Sequence, residues 1–161
     1  MIEPHHELTL TRTFDAPREL VYAAFTDANH LTQWFGPRGF SIARCVSEAH
    51  PGGRLEIDMR KESDGQIYPM RGEYLEVDPP ARFVTFTSGQ LEGGARNTFT
   101  FVEVDGKTQL TMHVHVLQKT DLEIVRPFLE GMKGGWQQSY EKLDAYLASG
   151  PIANPGEARR S

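Results

Sequence analysis

The chain reads as one α+β domain, an antiparallel sheet covered on one face by a long C-terminal helix. Three observations predict it. Five or six strand-like segments, depending on whether the first long one splits, follow one another between residues 40 and 116 with turn signals between them. Hairpin-length turns of this kind imply an antiparallel meander. Beyond them Val125, Leu129, Met132, Trp136, Tyr140, Leu143 and Leu147 recur at three- and four-residue spacing, the stripe of a single helix. That helix is the only element long enough to cover the sheet.

The elements follow in order. Residues 8–14 alternate Leu8, Leu10 and Arg12 against Thr9, Thr11 and Thr13, a strand pattern closed by Phe14. Asp15-Ala16-Pro17-Arg18-Glu19 starts a helix, with Pro17 suited to the first turn. Leu20, Val21, Ala24 and Phe25 form its apolar stripe, and Thr26-Asp27 ends it. Residues 29–35 read as a second short helix, stopped by Gly36-Pro37. The strand candidates are residues 40–48, 54–60, 68–77, 82–88, 96–104 and 107–116. They are separated by His50-Pro51-Gly52-Gly53, Ser63-Asp64-Gly65, Asp78-Pro79-Pro80, a loop with Gly89, Gly93 and Gly94, and Asp105-Gly106. Thr120 followed by Glu123 predicts a capping box for the last helix, which runs to about Ala148. Pro127 predicts either a kink or the true start of that helix.

A length of 161 residues favours one domain. A net charge of −5 leaves no basic stripe for nucleic acid. The single cysteine, Cys45, cannot form an internal disulfide, which suits a reducing compartment. No apolar run approaches the roughly 20 residues of a membrane helix. Met1-Ile2-Glu3-Pro4-His5-His6 lacks the order of a secretory signal. A cytoplasmic protein is expected, with a flexible N-terminus at 1–7, a domain at 8–148 and a disordered tail at 149–161. The tail has two Pro, two Gly and no apolar stripe.

Four stretches carry a resemblance to a known family. They are Phe14-Asp15-Ala16-Pro17 leading to Val21; Gln33-Trp34-Phe35-Gly36-Pro37; Pro51-Gly52-Gly53-Arg54 with Gly72-Glu73-Tyr74 and Pro79-Pro80-Ala81-Arg82-Phe83; and Gly135-Trp136 with Leu143. In this order they resemble the SRPBCC or START-like superfamily, and within it the family named after the activator of heat-shock-protein-90 ATPase. The resemblance spans residues 8–148. It implies a helix-grip (START-like, Bet v 1-like) fold, a curved antiparallel sheet wrapped around the long C-terminal helix, with two short helices after the first strand. It also implies enclosure of a small molecule. It carries over no catalytic residues. The eukaryotic co-chaperones that give the family its name carry an additional N-terminal domain, which is not expected in 161 residues.

On that fold the inward face of the sheet and the helix stripe define an expected ligand-binding set: Trp34, Ile57, Met59, Met70, Tyr74, Phe83, Thr85, Phe99, Phe101, Met112, Met132, Trp136 and Tyr140. Met and aromatic side chains are adaptable linings; the alternative is that they simply fill a core. Trp34 reads equally as a cap on the sheet's end or as the pocket mouth. Met112→Trp is expected to fill the pocket and leave the fold intact. Gly131, Gly134 and Gly135 each sacrifice about 1 kcal/mol of helix stability. Close packing of helix on sheet is the first explanation, and a helix that bends to admit ligand the second.

Arg44, Glu76, Thr85 and Gln137 are the polar candidates for reaching a pocket. A buried Glu76 would be a general acid of raised pKa, but the neighbouring Asp78-Pro79-Pro80 turn predicts exposure. His113 and His115 share a strand face without an evident acidic partner and read as solvent-facing, not as a metal site. Cys45 has no nearby base and reads as a structural thiol. No Ser-His-Asp order, phosphate loop or dinucleotide fingerprint occurs. No catalytic residue, metal or cofactor is expected. The leading expectation is a non-catalytic binding protein for a small hydrophobic or aromatic molecule. A cofactor-free cyclase or dehydratase acting on a polyketide-like substrate is the second, and a co-chaperone-like stress-response protein the third. A homodimer and a protein partner are left open.

Overall fold

The computed structural model describes residues 7–88, 94–116 and 122–150, with the side chains of 122–128 excepted. β1 (Glu7–Phe14) leads into α1 (Arg18–Thr26) and α2 (Ala28–Trp34). Six strands follow: β2 (Phe40–Ser47), β3 (Arg54–Lys61), β4 (Ile67–Asp78), β5 (Arg82–Ser88), β6 (Ala95–Val104) and β7 (Lys107–Val116). The last element, α3, runs from Leu122 to Ala148. Pro127 lies inside α3 and neither starts nor ends it. The N-terminal segment 1–6, the glycine-rich residues 89–93, Thr120 with the Glu123 side chain, and the tail 151–161 lie outside the described residues.

The seven strands form one curled antiparallel sheet in the order β1-β7-β6-β5-β4-β3-β2. The meander explains most of this order, since β2 to β6 each pair with the next strand. The exception is β1, which pairs with β7 in full register from Glu7↔His115 to Phe14↔Thr108. Two irregularities bend the sheet. The pairing shifts between Ile42 and Arg44 in β2 and between Tyr74 and Glu76 in β4, and an extra residue of this kind sharpens local twist. Gly72 permits a further close approach: a Cβ there would stand 2.1 Å from the Phe86 carbonyl oxygen. The helix-grip expectation therefore holds, with six strands after the two short helices.

α1 begins behind Pro17 and buries Val21, Tyr22, Ala24 and Phe25. Tyr22 packs edge-on against Phe83 and Phe101, with centroids 5.8 and 5.3 Å apart. Phe25 meets Trp34, Phe99 and Phe101 at 4.9, 5.6 and 5.5 Å. α1 thus fills the concave face near its middle with aromatic rings. α2 starts at Asp27, whose carboxylate accepts from the Asn29 amide at 2.8 Å. It delivers Trp34 into the core, where the indole N–H donates to the Ala24 carbonyl at 2.9 Å. From the helix side, Tyr140 and Leu143 are buried against this cluster. Arg12 pairs with Asp144, joining β1 to α3. His30 Nδ1 shares a 2.7 Å hydrogen bond with the Tyr146 hydroxyl, joining α2 to α3.

One group in this core has no apparent use. The Tyr22 hydroxyl is buried without a hydrogen-bond partner among the described residues. Burial, with Asp78 adding to it, pushes its pKa up to about 12, so it stays neutral at any ordinary pH. Removing an unsatisfied buried hydroxyl removes a desolvation penalty of about 1–3 kcal/mol. Tyr22→Phe should therefore keep or raise the melting temperature. A fall of several degrees in a thermal melt would mean the hydroxyl has a partner that matters.

Candidate functional site

α3 does not meet the sheet along its whole length. Its Tyr140–Leu147 end is packed tightly, with Tyr140 and Leu143 inaccessible to solvent. Its Gly131–Ser139 stretch instead borders a cavity of about 400 Å³, within the ~300–1,000 Å³ range of small-molecule sites. Phe35, Gly36 and Pro37 wall it on one side, and Met59, Tyr68, Pro69 and Met70 of the β3–β4 hairpin form the floor. Thr87, Ser88, Gly94 and Ala95 close the far side, and Gly131, Met132, Gly135, Trp136 and Ser139 face them from the helix. None of these lining residues carries a formal charge at neutral pH.

The wall at residues 35–37 is held by α3 itself. Lys142 donates to the carbonyls of Gly36 and Phe40 at 3.0 and 3.4 Å. Burial lowers its pKa below the usual lysine value. Gln138 accepts from the Arg38 amide at 3.1 Å, and Arg38 pairs with Glu141 at 2.6 Å. Trp136 stands between wall and core, edge-on to Phe35 at 5.4 Å and 5.5 Å from Tyr140. It is only partly buried, because one side of the indole is exposed to the cavity.

Met59, Met70, Met132 and Trp136 of the expected set come together around this cavity. The other nine do not line it. Trp34, Ile57, Tyr74, Phe83, Thr85, Phe99, Phe101, Met112 and Tyr140 are buried in the aromatic core. The reason is α1: Tyr22 and Phe25 occupy the inner sheet face that a two-layer reading leaves empty. Trp34 sits in the core, and its neighbour Phe35 forms the cavity wall. Met112 is fully buried, and its sulfur accepts the Tyr140 hydroxyl at 3.2 Å. A tryptophan at that position would overpack the core and not fill a pocket. Burial raises the pKa of Tyr140 far above the ordinary phenol value. The Tyr74 hydroxyl lies 2.6 Å from Ser47 Oγ, which donates to the Thr26 carbonyl. Burial pushes Tyr74 up to about 12. These hydroxyls are structural.

The glycines need a different account from close packing. Beyond the surrounding helix backbone, a Cβ built on Gly131, Gly134 or Gly135 meets no described atom within 4 Å. Close packing among the described residues therefore does not force them. Gly131 and Gly135 line the cavity and Gly134 does not. The two lining glycines leave open a volume that any side chain would occupy.

The polar candidates resolve in the same way. Glu76 is exposed and pairs with Arg82 at 2.5 Å and Arg96 at 3.1 Å. The Arg82 hydrogen bond lowers its pKa, the reverse of what a general acid needs. Arg44 pairs with Glu56 at 2.8 Å, and Gln137 is exposed. His113 does have an acidic partner, since its Nε2 lies 2.6 Å from a Glu7 carboxylate oxygen. Glu7 reaches it diagonally across the β1–β7 ladder, a pairing that sequence distance hides. No cluster of three metal-ligating side chains exists among the described residues. Cys45 is half-buried, and burial, followed by Asp27, pushes its pKa up to about 11. It is a thiol, not a nucleophile.

Thr87 and Asn97 are polar residues of the inner face that the alternation rule does not single out. The Asn97 side-chain amide donates to Thr85 Oγ1 at 3.2 Å and to Thr87 Oγ1 at 2.9 Å. Ser139 is buried on α3, and its hydroxyl donates to the Gly135 carbonyl at 3.0 Å. Threonines facing an asparagine across the strands are the available signal, because an apolar inner face otherwise disfavours unpaired polar side chains.

Among the described residues, no helix is long and apolar enough to cross a membrane. Among functionally curated proteins, none matches the chain. Solved structures do. A Rhodobacter sphaeroides protein shares 26% identity at a TM-score of 0.81, over 94% of this chain and 100% of that one. A Chromobacterium violaceum protein shares 27% identity at a TM-score of 0.77, over 88% and 96%. An AHSA1 protein from Silicibacter pomeroyi, at 24% identity and a TM-score of 0.74 over 88% and 97%, shares the fold. Residues 15–148 match the family described as activator of Hsp90 ATPase homolog 1-like protein, and the chain belongs to that family.

Proposed function

We propose that this protein binds a small apolar or aromatic molecule in the cavity between α3 and the β3–β6 side of the sheet, without catalysing a reaction on it. The observation that carries this reading is the cavity itself: about 400 Å³ of space, walled by Phe35, Trp136 and three methionines, at the one stretch of α3 built with glycines. Concave, largely apolar clefts of this size are the usual form of a small-molecule site. A cyclase or dehydratase would need an acid and a base aimed into one space. Among the described lining residues only Tyr68 carries an ionisable group, which favours binding over catalysis. The family description names an ATPase activator; the cavity supports the small-molecule reading.

The experiment is native mass spectrometry of freshly purified full-length protein, followed by calorimetric titration with planar aromatic and fatty-acyl probes. Burying about 300 Å² of apolar surface contributes roughly 7 kcal/mol. Association and ordering offset part of it, so micromolar affinity for an aromatic probe is expected. Absence of both a co-purified molecule and any measurable titration up to millimolar probe would reject this function.

A further inference from the structure

The geometry points to a neutral aromatic ligand that carries a hydroxyl group, with Ser139 as the residue that selects for it. This inference rests on the proposed ligand-binding role of the cavity. It follows from what each polar atom on the wall has left to give. The Ser139 hydroxyl has one proton and commits it to the Gly135 carbonyl at 3.0 Å. Among the described residues nothing donates to its oxygen, so Oγ offers lone pairs and no proton. A ligand meeting Ser139 must therefore bring the donor. On the opposite wall Thr87 is the reverse case. Its Oγ1 already accepts from Asn97 at 2.9 Å, which leaves its own proton to donate. The site thus offers an acceptor on the helix side and a donor on the sheet side, and the Trp136 ring also lines it.

Charge is the second selector. No Lys, Arg or His is among the described lining residues, so a carboxylate buried against them would gain no counter-ion from them. An unpaired buried charge is strongly disfavoured, whereas a phenol loses only what one hydrogen bond restores. A free fatty acid or aromatic acid is therefore the wrong ligand, and a phenolic ring system the right one.

The test is isothermal titration of the full-length chain at pH 7.5 with three probes of one ring system: 2-naphthol, 2-methoxynaphthalene and 2-naphthoate. The methyl ether keeps the ring and loses the donor. We expect it to bind about 3- to 10-fold more weakly than the naphthol, the range of one hydrogen bond. The naphthoate should be at least about 10-fold weaker again. Ser139→Ala should weaken the naphthol to the level of the ether and leave the ether unchanged, with a thermal melt showing that the variant folds. Naphthoate binding as tightly as naphthol, or a naphthol–ether difference that survives Ser139→Ala, would overturn the inference and leave the cavity's binding role standing. If none of the three titrates up to millimolar concentration, the binding role falls, and this inference with it.

Discussion

Trp34→Ala should destabilise the protein by about 3–5 kcal/mol, the range for deleting a fully buried large aromatic. The ring is inaccessible to solvent and packs on Phe25 at a centroid distance of 4.9 Å. Its loss also strands the Ala24 carbonyl at the end of α1 that the indole N–H satisfies. At roughly 2–4 °C per kcal/mol for a chain of this size, the melting temperature should fall by about 6–20 °C. Trp136→Ala is the matched comparison. Trp136 contacts Phe35, Phe99 and Tyr140 but has one side on the cavity, so it has less buried surface to lose. About 1–2 kcal/mol is expected. Thermal melts of the two variants side by side give the answer. Equal losses would mean that the space beside Trp136 is packed as densely as the core, and the cavity would not be a site.

The contrast between the two tryptophans also shows what the sequence could and could not disclose. Alternation along residues 54–60 and 107–116 places Leu55, Ile57, Leu110, Met112 and Val114 on the inner face, and the structure puts them there. Turn residues separate the strands between residues 40 and 116, and the stripe on α3 identifies the helix that the sheet grips. These features are local, and local periodicity reports them well. What periodicity lacks is depth. It assigns a residue to a face but does not say how many layers cover that face. Phe83, Phe99 and Phe101 look like pocket walls until Tyr22 and Phe25 of α1 arrive on top of them. Phe35 and Pro37 belong to the cavity through the loop after α2, where no period exists to read. Glu7 and His113 meet through strand pairing 106 residues apart in the chain.

The glycines of α3 separate stability from function, because here the two should move in opposite directions. Gly→Ala in a helix interior gains about 0.5–1 kcal/mol when space is available. Beyond the surrounding helix backbone, no described atom lies within 4 Å of a Cβ at 131, 134 or 135, and none of the three has the left-handed φ that would strain an alanine. Each Gly→Ala variant should therefore melt about 1–4 °C higher. Binding divides them. Gly134 does not line the cavity, so Gly134→Ala should raise the melting temperature and leave probe affinity unchanged. Gly135 lines it between Met132 and Trp136. Gly135→Leu places a side chain in the space that a ligand would use. The variant itself has room for leucine, but leucine and ligand together are overpacked, a penalty of about 1–3 kcal/mol. Affinity for an aromatic probe should drop about 5- to 150-fold while the apo protein melts no lower than wild type. A Gly135→Leu protein that binds as tightly as wild type would place the ligand elsewhere. One that unfolds would show that the helix does press on the sheet at this turn, and the glycines would then be packing residues after all.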